Sequence, residues 1–170
     1  MGGYLPRMPT GLIELDISYS LVDGGLTDEH FAGLHKLEWA LMDGNFFNSS
    51  IPAVFGTLEG LEYLYLTDSS ITGDLSFMED MPSIIELWVE NNPMLSGPIY
   101  PFIGNLTTLE SFSVVENGLV GPLPSEMAKL ENLLQFWAYG NYLTGKLCVS
   151  FGLRFYCNSY LHHGAFDALL

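Results

Sequence analysis

Acidic and aromatic residues recur together along this sequence. Trp39, Tyr63 and Trp88 stand 24 and 25 residues apart, and carboxylates accompany each of them. Exposed tryptophan and tyrosine side chains are common anchors of binding sites. Carboxylates beside them select lysine or arginine, by charge and by cation–π contact. The residues that we predict to form such a ligand-binding site are Trp39, Asp43, Glu62, Tyr63, Tyr65, Asp68, Glu86, Trp88, Glu90, Trp137 and Tyr139.

The same residues allow other chemistries. Rings that stack on sugars, with carboxylates accepting bonds from hydroxyls, would bind a cell-wall polysaccharide or another glycan. The acidic residues could also bind a cation such as calcium, although the four histidines lack the spacing of a zinc site. Glu86 and Glu90 would lie about 13 Å apart along one strand, which is too far for a hydrolytic pair of carboxylates. We therefore predict recognition of a ligand, without catalysis, cofactor or bound metal.

The elements that position these residues are short repeats. Between Leu106 and Pro124, apolar residues follow one another at steps of three, three, two, five and four, which neither a helix nor a strand produces alone. The pattern recurs with a bend residue at positions 20, 45, 69, 92, 117 and 141, so the spacings are 25, 24, 23, 25 and 24. Such a period indicates a solenoid. We expect its strands at 15–17, 40–42, 64–66, 87–89, 112–114 and 136–138, and a short helix from Thr27 to Leu37.

The repeat resembles the plant-type leucine-rich repeat, LxxLxLxxNxLxGxIP, which builds receptor-kinase ectodomains and polygalacturonase inhibitors. The resemblance implies an α/β repeat fold. This is a right-handed solenoid with one short parallel strand per coil on the concave face and short 3-10 or α segments and turns on the convex face. We predict a single domain over 1–170, with about six coils over 9–148 and a C-terminal cap over 149–170. Ser20 and Ser69 depart from the pattern, because they stand where the family has asparagine.

Five variable positions in each coil are expected to lie on or beside the concave sheet, because side chains alternate along a strand. None of these 30 positions is basic, and all three tryptophans of the chain are among them. Ten are acidic, namely Glu14, Asp16, Glu38, Asp43, Glu62, Asp68, Glu86, Glu90, Glu110 and Glu116. The resemblance further implies a structural ladder of side-chain amides at the bends, formed by Asn45, Asn92, Asn117 and Asn141.

Composition narrows the setting. The 170 residues are 48% hydrophobic, enough for a buried core, and their net charge of −15 repels nucleic acid and anionic membranes. No apolar run reaches the roughly 18 residues of a membrane span. Asn48 and Asn105 begin glycosylation acceptor tripeptides, and Cys148 and Cys157 are candidates for a disulfide. Together with the resemblance, these features predict an extracellular or cell-surface receptor, adhesion protein or enzyme inhibitor.

The first residues contain no cysteine-bearing cap of the kind that secreted members of the family often have. The chain is then expected to be either a piece of a longer solenoid or a solenoid whose first coil ends open. Because an open edge of a parallel sheet invites pairing with another chain, the second alternative predicts a homodimer through the solenoid end at residues 13–17.

Overall fold

The computed structural model describes residues 3–144, which form six successive coils. Each coil contributes one three-residue strand to a single parallel sheet. In sheet order the strands are β1 (Glu14–Asp16), β2 (Trp39–Leu41), β3 (Tyr63–Tyr65), β5 (Glu86–Trp88), β7 (Ser111–Ser113) and β9 (Gln135–Trp137). The prediction of one short parallel strand per coil is confirmed, although every strand begins one residue earlier than the apolar pattern indicated.

A second parallel sheet, which the sequence did not lead us to expect, also links the coils. Its strands are β4 (Thr72–Gly73), β6 (Met94–Gly97), β8 (Gly118–Pro122) and β10 (Tyr142–Thr144). Gly73, Gly97 and Gly121 have φ angles of 86°, 89° and 84°, which only glycine adopts readily. The chain therefore turns at the same point of three successive coils. In this part of the chain, neighbouring coils are joined by the hydrogen bonds of both parallel sheets.

Short helical turns lie between the sheets. They are the α-helix α1 (Asp28–Phe31) and the 3-10 helices Ala53–Thr57, Leu75–Met78, Pro101–Asn105 and Ser125–Lys129. The helix predicted from Thr27 to Leu37 is therefore only one turn long. It cannot continue through Gly33, whose φ of 83° is left-handed.

In the core, side chains at equivalent positions of successive coils stack on one another and form columns that run along the solenoid. The central residue of each strand in the six-stranded sheet is at most 7% exposed. These residues are Leu15, Ala40, Leu64, Leu87, Phe112 and Phe136. The rings of Phe112 and Phe136 stack with their centroids 5.6 Å apart. Because each column is completed by the neighbouring coils, burial depends on stacking between coils.

Bend side chains complete the backbone hydrogen bonds of the preceding coil. Asn92 Nδ2 donates to the carbonyl of Leu66 at 2.8 Å, and its Oδ1 accepts the N–H groups of Ser69 and Ile71. Asn45, Asn117 and Asn141 make equivalent bonds in both directions.

The two serine bends do less. Ser69 Oγ donates to the carbonyls of Met42 and Thr67, and no acceptor bond to Oγ is found for it among residues 3–144. Within residues 3–144, Ser20 Oγ donates to the carbonyl of Ser18, in its own coil. Ser69 therefore supplies the donor half of the role and Ser20 supplies neither half, although a hydroxyl oxygen can also accept a hydrogen bond.

Residues 3–9 run across the first coil. Gly3 forms a parallel bridge with Val22, and the N–H of Met8 donates to the carbonyl of His30 at 3.2 Å. Ile13 and Tyr19 nevertheless remain 51% and 74% exposed. Self-association through residues 13–17 stays a prediction. Sedimentation velocity at tens of micromolar protein should detect a dimer that Ile13→Lys abolishes, and a monomer at that concentration would contradict it.

Some predicted features fall outside residues 3–144. The C-terminal cap over 149–170 and a disulfide between Cys148 and Cys157 lie beyond the described residues. The side chains of Asn48 and Asn105 are both exposed, and their glycosylation stays a prediction. Within residues 3–144, none of the helices has the length and apolar character needed to cross a bilayer.

Candidate ligand-binding face

The outward side of the six-stranded sheet, here called the sheet face, carries two rows of side chains in register. The first row is Glu14, Trp39, Tyr63, Glu86, Ser111 and Gln135. The second row is Asp16, Leu41, Tyr65, Trp88, Ser113 and Trp137. The remaining predicted site residues, which are Asp43, Glu62, Asp68, Glu90 and Tyr139, flank the strands at the two margins of the sheet face.

Four aromatic side chains form two stacked pairs. The ring centroids of Trp39 and Tyr63 are 3.6 Å apart with planes at 10°, and those of Tyr65 and Trp88 are 4.7 Å apart at 16°. Because the partners of each pair lie on adjacent strands, the rings stand upright on the sheet and turn their edges to solvent. These residues were predicted as exposed anchors, but they are half-buried.

Two serines that were not predicted as site residues form the floor beneath the tryptophans. Ser111 and Ser113 of β7 are 4% and 0% exposed. The indole N–H of Trp88 donates to Ser111 Oγ at 2.9 Å, and Trp88 meets Trp137 edge-on at 6.2 Å. The small serines leave room for these two indoles to meet above β7. The signal in the sequence is that coil five alone has serine at both outward strand positions.

Hydroxyl and N–H donors hold several carboxylates in place. Glu86 Oε2 accepts the phenol of Tyr65 at 2.6 Å, and Ser113 Oγ donates to Glu90. Asp43 Oδ1 accepts the backbone N–H of Thr67 at 2.7 Å. These bonds hold the three carboxyl groups in fixed positions on and beside the sheet face.

The sheet face has no cation of its own. Between residues 3 and 144, lysine and arginine occur only at Arg7, Lys36 and Lys129, and none of these lies on the rows. Lys36 is at the margin, where it lines an open cleft with Glu38, Glu59 and Glu62. In the described part of the chain, no lysine or arginine therefore stands on the two rows beside their acids.

Burial changes the titration of the groups in the face. Burial raises the pKa of the Asp43 carboxyl, the hydrogen bonds from Thr67 lower it, and the charges of Asp16 and Asp68 raise it further. Burial and the bond to Glu86 raise the pKa of Tyr65, so its phenol stays protonated and keeps donating. Burial also raises the pKa of Tyr63, and the charges of Glu62, Glu86 and Glu110 add to the effect.

We predict that Asp43→Asn stabilises the fold at neutral pH. The folded pKa of Asp43 lies above its ordinary 3.8, so the native state binds this proton more tightly than the unfolded chain does. The ionised carboxylate therefore destabilises the fold at pH values above the raised pKa, and the penalty disappears as the pH falls below 3.8. The asparagine carbonyl can still accept the bond from Thr67. Urea unfolding at both pH values measures the gain.

The exposed residue Asp80 supplies the control for this prediction. Asp80→Asn removes the same charge from an exposed site that does not act on Asp43, where the change in stability should be small. A gain from Asp43→Asn that is equally large at low pH, or a loss at neutral pH, would contradict the burial argument.

No family model matches this chain, but individual known proteins are similar to it. Receptor-like protein 39 of Arabidopsis thaliana is 29% identical over 163 residues, which is 80% of this chain and 18% of that protein. The chain therefore spans less than a fifth of the length of this relative.

Solved structures agree with the repeat pattern. The crystal structure of a TDR receptor matches 85% of this chain and 26% of its own, at 28% identity and a TM-score of 0.77. The leucine-rich-repeat ectodomain of the Arabidopsis receptor kinase HAESA, in complex with an N-terminally extended IDA peptide hormone, matches 75% and 21%, at 28% identity and 0.69. These relatives indicate an extracellular or cell-surface location. The recurring coil, the sheet order and these similarities confirm the resemblance to plant-type extracellular leucine-rich-repeat proteins.

Proposed function

We propose that this chain is a non-catalytic recognition module that binds a basic protein or peptide on the sheet face. The observation that carries the proposal is the charge of that face. Ten acids and no lysine or arginine occupy the 30 positions on or beside it, while two stacked aromatic pairs stand in the middle. A positive ligand would be attracted from a distance and then held beside half-buried rings, where charge contacts are less screened than in open water.

The relatives support a peptide or protein as the ligand. The HAESA ectodomain was crystallised with a peptide hormone, and it has the same type of coil as this chain. Because one scaffold serves many ligands, the likeness supports the class of ligand, and the basic character is argued from the residues of this chain.

The upright rings make a glycan a poorer fit. A sugar stacks best on a broad ring face that is open to solvent. Each stacked pair encloses two of its four ring faces, and the outer faces of Trp39 and Tyr63 point along the sheet toward the neighbouring strands, where a flat cationic group fits better than a sugar ring. Binding of a cell-wall polysaccharide therefore remains the alternative outcome of the experiment below.

A capture experiment tests the proposal. The chain is immobilised and exposed to extracellular extract, and the captured component is purified and titrated against the chain at low and physiological salt. The matched variant Trp88→Ala/Glu90→Lys removes an aromatic and reverses a charge on the sheet face. Glu79→Lys makes the same charge change at an exposed position after the 3-10 helix Leu75–Met78.

The proposal expects capture of a basic protein or peptide whose affinity falls steeply with salt. Glu79→Lys should retain it. The double variant should lose it while its circular dichroism still shows a folded chain at the temperature of the capture, although loss of the packed Trp88 side chain should lower its melting temperature. Equal recovery by all three proteins contradicts a site on the sheet face. Salt-insensitive capture of a polysaccharide contradicts a basic ligand.

A further inference from the structure

The first row of the sheet face has a symmetrical order that the second row lacks. It reads Glu14, Trp39, Tyr63, Glu86 on four successive strands. The rings of Trp39 and Tyr63 stack through the faces that they turn toward each other, with their centroids 3.6 Å apart. The outer face of Trp39 is therefore turned toward the strand of Glu14, and the outer face of Tyr63 toward the strand of Glu86.

Each outer face and its neighbouring carboxylate border one slot. The Trp39 slot lies between β1 and β2, where Glu14 is exposed and no hydrogen bond to its side chain is found within residues 3–144. The Tyr63 slot lies between β3 and β5. There, one carboxylate oxygen of Glu86 accepts the hydrogen bond from Tyr65, which leaves its second oxygen for a ligand.

A ring face beside a carboxylate favours a planar cation. A guanidinium can lie over the ring and at the same time donate two N–H groups to the carboxylate. The stacked pair in the second row, Tyr65 and Trp88, has no carboxylate in the same row on the strands beside it. The neighbour of Tyr65 is Leu41, and the neighbours of Trp88 are Ser113 and the edge of Trp137.

From these placements we propose that the Trp39 slot and the Tyr63 slot bind two arginine or lysine side chains of one ligand peptide. The proposal rests on the proposed function, whose ligand it specifies. The slots are two strand spacings apart, or roughly 10 Å. In a polyproline-type peptide, residues three positions apart lie on the same side at about 9 Å. The expected signature of the ligand is therefore a pair of basic residues three positions apart, on a segment that runs across the strands.

Synthetic peptides test the spacing. The probes are 12-residue glycine, serine and proline peptides that contain two arginines one to six positions apart. In a matched set, citrulline replaces one or both arginines, which keeps the shape and removes the charge. Affinities are measured by isothermal titration at low salt. We expect the peptide with spacing three to bind most tightly and to lose about tenfold in affinity for each arginine replaced, as a combined charge and cation–π contact would give.

Variants of the chain assign each slot. Glu14→Gln and Glu86→Gln should each weaken the spacing-three peptide about tenfold and remove the preference for that spacing. Glu79→Gln removes the same charge from the convex side and should leave the preference intact. Trp39→Leu and Tyr63→Leu keep every charge, so a loss in these variants reports the ring faces. In double-mutant cycles, Glu86→Gln should couple to one arginine of the peptide and Glu14→Gln to the other.

Two outcomes would overturn the inference. Equal affinity at every spacing, or an effect of Glu79→Gln as large as that of Glu86→Gln, would mean general attraction between a basic peptide and an acidic protein. Full retention of binding in Trp39→Leu and Tyr63→Leu would exclude the ring faces. If either occurs while Trp88→Ala/Glu90→Lys still loses the extracellular ligand, the slots are wrong and the proposed function stands.

Discussion

Replacing Asn92 by leucine is expected to lower the free energy of unfolding by about 4 kcal/mol. Asn92 is 0% exposed and hydrogen-bonds groups of two coils. Leucine has similar volume and no polar atom. The carbonyl of Leu66 and the N–H groups of Ser69 and Ile71 would remain buried, and each buried group left without a partner costs about 1–3 kcal/mol. Urea unfolding followed by circular dichroism measures the loss.

Graded variants separate the hydrogen bonds from packing. Asn92→Ser should lose less, because Ser69 shows that a hydroxyl can donate to the preceding coil. Asn117→Leu should also lose less, because Asn117 makes two bonds. Asn132→Leu is the surface control, since Asn132 is exposed and donates one bond, to the carbonyl of Thr107. A melting temperature of Asn92→Leu within a degree of the parent would refute the role of the ladder.

Gly104→Ala is expected to destabilise the fold by about 3 kcal/mol. Gly104 is buried at the end of the 3-10 helix Pro101–Asn105, and an added Cβ would lie 2.5 Å from the carbonyl oxygen of Glu126 in the next coil. That oxygen belongs to the backbone, so it can move only if the coils separate. Alanine would favour a helical backbone by roughly 1 kcal/mol, which is smaller than the expected clash. Thermal and urea unfolding measure the difference.

Gly11→Ala is the matched control for this glycine. Nothing lies within 4 Å of a Cβ at Gly11, so the change should stay within about 0.5 kcal/mol. An unchanged stability of Gly104→Ala would show that the spacing between the fifth and sixth coils can relax at this point, and would contradict the close-packed arrangement.

The fold could be predicted from the sequence because each coil repeats the same constraint. Leu64, Leu87 and Phe112 recur at the same place in successive coils, and only stacked strands bury all of them together. The second sheet was missed because its pattern is weak. Leu95 and Leu119 alternate with exposed neighbours over only two or three residues, and glycine marked a turn without showing that the residues around it pair.

The candidate site was predicted as a set of residues and not as an arrangement. Register places Trp39 beside Tyr63, but it does not say whether the rings stack or separate. Whether two rings stack depends on the size of the side chains around them. Trp88 and Trp137, for example, can meet above β7 because Ser111 and Ser113 are small. The bonds of Glu86 to Tyr65 and of Glu90 to Ser113 also cross between coils, so no local pattern reveals them.

The amide ladder has a direction along the chain. Asn45, Asn92, Asn117 and Asn141 each serve groups that precede them by a full coil, such as Ile17 for Asn45 and Val114 for Asn141. Deleting coils from the amino-terminal side would therefore leave every remaining coil with the asparagine that bonds its backbone. Deleting coils from the carboxyl-terminal side would remove the asparagine that bonds the coil before it, and would leave the polar backbone groups of that coil without partners. We expect shortened versions of this solenoid to stay folded after the first kind of truncation and to unfold at the new end after the second.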